Sequence, residues 1–261
     1  MSRLENLKVK IFADGADLNG ILEWCRNPLI KGFTTNPTLM KQAGVTDYAE
    51  YARTLLRVVP DRPISFEVFA DDFAQMEWQA LQIASWGELV VVKIPVMNTR
   101  GESSGELVRR LARAGVRLNV TAMMSLEQVK EAAEWLQGGA PSYLSVFAGR
   151  VADTGRDPVP MMAEAVRWLR DYPQVELIWA SPRELLNVFQ ADTIGCHVIT
   201  VTHDLLRKLK YVGKDLHEFS LETVKMFFND AQRAGFELTP SHEKADKAMS
   251  TSRETEDVAT A

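Results

Sequence analysis

Only two of the 261 residues are cysteine, Cys25 and Cys196, far apart and without the paired spacing of a metal site. That excludes a disulfide-stapled fold and a cysteine-based zinc module, and suggests free thiols in a reducing compartment. No apolar run approaches the roughly 20 residues of a membrane span. The opening decapeptide MSRLENLKVK carries charges of both signs and no apolar segment follows it. Neither a secretion signal nor a membrane anchor is therefore expected, and the cytoplasm is the expected compartment. Positive charge is in deficit: a formal net charge of −5 without a basic stripe argues against a nucleic-acid partner. A glycine-rich phosphate turn is missing too, since ADGADLNG after the first strand-like run does not match the dinucleotide fingerprint.

What is present has the balance of a globular protein, with 46% hydrophobic and 25% charged residues. Eight runs rich in Val, Ile, Phe and Thr are strand candidates, at 9–15, 32–36, 64–70, 89–96, 117–124, 143–151, 176–181 and 197–203. Amphipathic stretches such as YAEYARTLLRVV and SGELVRRLARAG lie between them, with apolar residues every three or four positions. SLEQ at 125–128 fits a capping box, Ser125 capping and Gln128 reaching back. Strand and helix alternating eight times predict an α/β fold, a single (β/α)8 TIM barrel, with extra C-terminal helices after the eighth strand. The barrel domain is expected over 1–238. Residues 239–261, polar and without hydrophobic period, are expected to form a disordered tail. A homo-oligomer is expected, and the amphipathic helix at 220–235 could either cover the barrel or form an oligomer contact.

In such a barrel chemistry gathers at the C-terminal ends of the strands. Those ends hold Asp14; Thr34, Thr35 and Asn36; Glu67; Lys93; Asn119 and Thr121; Ser145 and Arg150; Ser181 and Arg183. Singly each has an ordinary explanation: Asp14 and Asn36 could cap helices, Glu67 and Arg150 could pair, and Lys93 in ELVVVKIPVM could snorkel to water. Together they form a complementary set. A lysine kept neutral by apolar and cationic surroundings could attack a ketone and form a Schiff base, whose iminium accepts electrons from an adjacent C–C bond. Asp14 is the candidate acid/base, and Glu67 with Thr121 could hold a proton-shuttling water. Arg150, Ser181 and Arg183 offer donors suited to phosphate. The residue types therefore point to carbonyl chemistry on a phosphorylated sugar.

These segments resemble the transaldolase family, in the family's order, from about residue 9 to residue 236. ADGAD is similar to its first-strand aspartate motif, GFTTNPTLM to its TTNP segment, SFEV to its third-strand glutamate and VVKIPV to its Schiff-base lysine strand. LNVTAMMS, LSVFAGRV and ASPR resemble the later segments. The resemblance implies Lys93 as the carrier of a dihydroxyacetone unit, Asp14 as acid/base, and Glu67 with Thr121 positioning the catalytic water. Thr35, Asn36, Asn119, Ser145 and Phe147 would lie along the sugar and its Schiff base, and Arg150, Ser181 and Arg183 would hold phosphate. It implies sugar-phosphate substrates and no metal or organic cofactor. The related fructose-6-phosphate aldolases carry Gln where this chain has Glu67 and Tyr where it has Phe147, so transfer is expected rather than release of free dihydroxyacetone. Pro182 stands where a bulky aromatic is common and is expected to reshape the phosphate site. The chain's intermediate length leaves room for a specialised sugar pathway. A catalytically silent sugar-phosphate-binding barrel is the reading from a different class.

Overall fold

The computed structural model describes residues 4–238; the stretch 239–261, expected as a polar tail, lies outside the described residues. Two compact units divide the chain, Met1–Val212 and Gly213–Ala261. In the first, eight parallel strands close into a barrel in sequence order: β1 (Lys10–Asp14), β2 (Ile30–Thr34), β3 (Ile64–Glu67), β4 (Val90–Pro95), β5 (Leu118–Met123), β6 (Ser142–Val146), β7 (Val175–Trp179) and β8 (Val198–Thr202). The helices between them are α1 (Leu18–Cys25), α2 (Pro37–Gln42), α3 (Tyr48–Val58), α4 (Phe73–Ala84), α5 (Gly105–Arg113), α6 (Leu126–Trp135), α7 (Ala148–Asp153), α8 (Val159–Trp168) and α9 (Leu186–Thr193), with the short α10 (His203–Leu206) after β8. The (β/α)8 barrel expected from the alternation is therefore the fold. The second unit is described as one helix, α11 (Leu216–Ala234), capped by Asp215 and ended by Gly235 at φ 66°.

Local chemistry explains the breaks. Asp17, Asp47 and Asp72 each accept a backbone N–H at the start of α1, α3 and α4, and Ser125 with Gln128 forms the expected capping box on α6. Several expected boundaries move, and the run 64–70 is a strand only as far as Glu67. β2 begins at Ile30 and stops at Thr34, so Thr35 and Asn36 lie beyond it; Asn36 turns to cap α2, with Pro37 at the first helical position. The run 143–151 is not one strand: β6 ends at Val146, and α7, carrying Arg150, starts at Ala148.

The strands are buried on both faces, as a parallel barrel requires. Their outward residues join the helices in one core, while Phe12, Val91, Tyr143, Ile178, Ala180 and Val198 pack inside the barrel. Gly32 leaves room for the Phe12 ring, which a β-carbon there would meet at 2.6 Å. Because side chains alternate along a strand, the next inward residue from each of these positions lies one layer closer to the C-terminal mouth. That step leads from Phe12 to Asp14, Gly32 to Thr34, Val91 to Lys93, Tyr143 to Ser145 and Val198 to Thr200. An apolar floor thus carries a polar layer.

Candidate active site

Above that floor lies a cavity of about 160 Å³, whose walls include Asp14, Asn36, Lys93, Thr121, Ser145, Phe147, Arg150, Ser181 and Arg183. Of the remaining expected residues, Thr35 and Glu67 contact Lys93 and Asn119 contacts Ser145. Lys93 is 5% exposed, which removes the snorkelling alternative. Its Nζ donates to the Thr35 carbonyl at 3.0 Å and pairs with Glu67 Oε2 at 3.1 Å. The surroundings of the amine are therefore not cationic, as expected from sequence, but acidic. β3 and β4 run in register with Glu67 beside Lys93, so the strand pairing itself brings the carboxylate to the amine. Arg150, the other candidate partner for Glu67, stands over the Phe147 ring at 5.4 Å instead. Tyr48 on α3 fixes the Glu67 backbone, donating to its carbonyl at 2.9 Å and accepting its N–H at 3.0 Å. Burial pushes the Tyr48 phenol up, so it stays neutral and able to donate.

Asp14 is half-buried at the cavity wall, and the loss of solvation there raises its carboxyl above the usual range. The charge of Lys93 and a hydrogen bond from Thr34 act in the opposite direction, while the Glu67 charge adds to the rise. Asn119 and Ser145 are linked, the Ser145 hydroxyl donating to Asn119 Oδ1 at 2.7 Å, and Asn119 Nδ2 reaches Ser65 Oγ at 3.3 Å. Thr35 is fully buried and donates its hydroxyl to the Ser65 carbonyl; its own carbonyl is what meets Lys93. Thr121 is fully buried with its hydroxyl unpartnered among the described residues, and it faces the cavity. Ala122 beside it has φ 65°, a costly conformation for a non-glycine residue, where the β5–β6 register shifts.

Arg150, Ser181 and Arg183 line the same cavity wall. Ser181 also has positive φ, 58°, and leads into Pro182 and Arg183. Arg183 is turned to Asp153 of α7, donating from Nε at 3.0 Å and also from Nη2, so part of its fork is occupied. Among the described residues Arg150 has no carboxylate partner. The residues that sequence reasoning passed over are Tyr48, Asp153, Thr200 and Thr202. The last two were open to detection: in HVITVTH the same alternation that exposes Lys93 to the interior turns Val198, Thr200 and Thr202 inward. His203 is not on the cavity wall; its ring packs by Trp24 and fills the space above Gly15 and Gly20. Both cysteines are free thiols, and burial pushes Cys196 up to about 12, so it is no nucleophile.

A buried lysine paired with Glu67 and close to Asp14, beside Arg150, Ser181 and Arg183 at the C-terminal mouth of a (β/α)8 barrel, brings together the residue types that covalent carbonyl chemistry requires. Residues 11–258 match the family described as Transaldolase/Fructose-6-phosphate aldolase, and the chain belongs to that family. A "Probable transaldolase" of Dehalococcoides mccartyi is 33% identical over 202 residues, covering 77% of this chain and 90% of that protein. One from Thermoanaerobacter sp. is 31% identical over 231 residues, covering 88% of this chain and all of that protein (100%). Among solved structures, orotidine 5'-monophosphate decarboxylase from Metallosphaera sedula superposes with a TM-score of 0.52 at 14% identity, over 80% of this chain and 98% of that one. At that identity the likeness shows the fold alone. No helix among the described residues is long and apolar enough to cross a membrane.

Proposed function

We propose that this protein is a transaldolase that moves a dihydroxyacetone unit from a ketose phosphate to an aldose phosphate through a Schiff base on Lys93. The observation that carries the reading is the contact of a 5%-exposed Lys93 with Glu67 at 3.1 Å, on the wall of the cavity that Asp14 and Arg150 also line. The amine must lose its proton before it attacks, and Glu67 is positioned to take it. Lys93 Nζ then adds to the ketone carbon, and the carbinolamine expels water, with the free hydroxyl of Thr121 and Glu67 handling that water and its protons. Asp14 accepts the proton of the hydroxyl beside the scissile bond. The C–C bond breaks, its electrons pass into the iminium, and an enamine remains on Lys93 while the aldehyde leaves. An acceptor aldehyde is attacked by the enamine, Asp14 returns its proton to the new hydroxyl, and hydrolysis frees Lys93. Asn36, Asn119 and Ser145 hold the sugar hydroxyls, and Arg150, Ser181 and Arg183 hold the phosphate. No cofactor enters these steps, and sugar phosphates are the partners.

Phe147 favours transfer over release. It lines the cavity with a ring that has no proton to give the enamine, so the intermediate waits for an aldehyde. Substituting Glu67→Gln together with Phe147→Tyr is expected to raise free dihydroxyacetone at the expense of the transfer product; product analysis with and without acceptor reads the ratio, and an unchanged ratio defeats this assignment. For the whole reading, borohydride reduction in the presence of fructose 6-phosphate is expected to leave a dihydroxyacetone-sized adduct that maps to Lys93. A folded protein that yields no adduct with any ketose phosphate would return the chain to a binding barrel.

A further inference from the structure

Behind Asp14 runs a chain of hydroxyls that the mechanism does not use. Thr34 Oγ1 donates to Asp14 Oδ1 at 2.7 Å, and Thr34 Oγ1 and Thr200 Oγ1 are 2.5 Å apart. Thr34 is 2% and Thr200 5% exposed. They come from the two strands that flank β1: Asp14 is paired with Thr34 on β2 and with Thr202 on β8, and Thr200 lies one inward step below Thr202. An ionised carboxylate can only accept hydrogen bonds, so the Thr34 proton must point to Asp14. Thr34 has a single hydroxyl proton, so Thr200 must then be the donor to Thr34.

We propose that Thr200 is a positioning residue for Asp14: by donating to Thr34 it locks the Thr34 proton onto Oδ1 and reserves Oδ2 for the proton exchanged with substrate. Among the described residues Oδ2 receives no hydrogen bond, while Asp14 lines the cavity. The inference rests on the Schiff-base reading above. Polarisation along the chain strengthens the bond to the carboxylate and acts against the rise that burial causes. The charged groups around Asp14 are Lys93 from β4 and Glu67 from β3, with Arg150 and Arg183 on the same cavity wall. The Asp17 carboxylate, in the loop that follows β1, accepts the Gly20 N–H as the cap of α1. β2 and β8 bring to Asp14 only the hydroxyls.

Without the Thr200 hydroxyl the Thr34 proton is free to turn away, the carboxylate loses a donor, and Asp14 protonates more readily. Cleavage needs the carboxylate, so its acid limb must move to higher pH. Thr200→Val and Thr200→Ala are therefore expected to raise the acid limb of the single-turnover cleavage rate by about one pH unit, while Thr200→Ser keeps the wild-type profile. Borohydride trapping of dihydroxyacetone itself on Lys93 involves no bond cleavage and should be equal in all four proteins. Two hydroxyl-deleting variants guard against one that folds poorly. An unshifted limb in the valine and alanine variants, or an equal shift in the serine variant, overturns the role of Thr200 and leaves the Schiff-base reading intact. No adduct on wild-type Lys93 removes both.

Discussion

Lys93→Ala is expected to lower the transfer rate by more than about 10³-fold while the protein stays folded, because in the proposed Schiff-base mechanism no other group in the cavity can make the covalent bond that splits the reaction into two steps. The candidates for substitution are absent: the cavity wall otherwise offers carboxylates, hydroxyls, amides and two guanidiniums, none of which forms an iminium. The fold should tolerate the change. Lys93 is a costly residue to bury, and what its removal leaves behind is Glu67, whose side chain is 18% exposed and can be reached by water entering the vacated space. A Lys93→Met companion fills most of the volume and tests the same loss without a void. Circular dichroism and thermal unfolding should stay close to wild type in both. Activity within tenfold of wild type in either variant would remove Lys93 from the mechanism.

Gly149→Ala is expected to be the most damaging single methyl group that can be added near the site. A β-carbon at Gly149 would lie 1.5 Å from the Ser181 carbonyl oxygen and 2.7 Å from its carbon, and both are backbone atoms that no side-chain rotation can move. Relief requires α7 to part from the segment after β7. That segment carries Ser181 and Arg183, and α7 carries Arg150, so the proposed phosphate donors would separate together. Overpacking typically costs about 1–3 kcal/mol and here should reach at least the upper end, which for this chain length corresponds to a melting temperature lower by roughly 6–12 °C. The larger effect should fall on phosphorylated substrates, with KM raised about tenfold or more, since a well-placed charge-assisted contact contributes about 1.5–3 kcal/mol. Trapping of unphosphorylated dihydroxyacetone on Lys93 should persist. Equal losses for phosphorylated and unphosphorylated substrates would mean that Arg150, Ser181 and Arg183 do not bind the phosphate.

The sequence by itself determined the barrel, through eight β-rich runs separated by helical periods, and it determined many of the side chains at the C-terminal mouth, though not Thr200 and Thr202. It also determined local signals such as the Ser125 capping box, because a cap and its partner are three residues apart and need no distant contact. Where the chain leaves a strand was less legible. Within the run 143–151 β6 gives way to α7 at Ala148, and Gly149 there lies against the backbone at Ser181, 32 residues away in the chain (181 − 149).

Only the tertiary structure decided how the site's charges are matched. That Glu67 meets Lys93 follows from the register of two parallel strands, and that Asp153 engages Arg183 follows from α7 facing the loop after β7. The same holds for Thr200, which touches Thr34 across 166 residues of sequence because closure of the barrel places β8 next to β1. Propensity and periodicity act over a few residues and so can be read along the chain, whereas an ion pair or a hydroxyl relay depends on strand register and closure, which come into being only when the sheet joins its own edges.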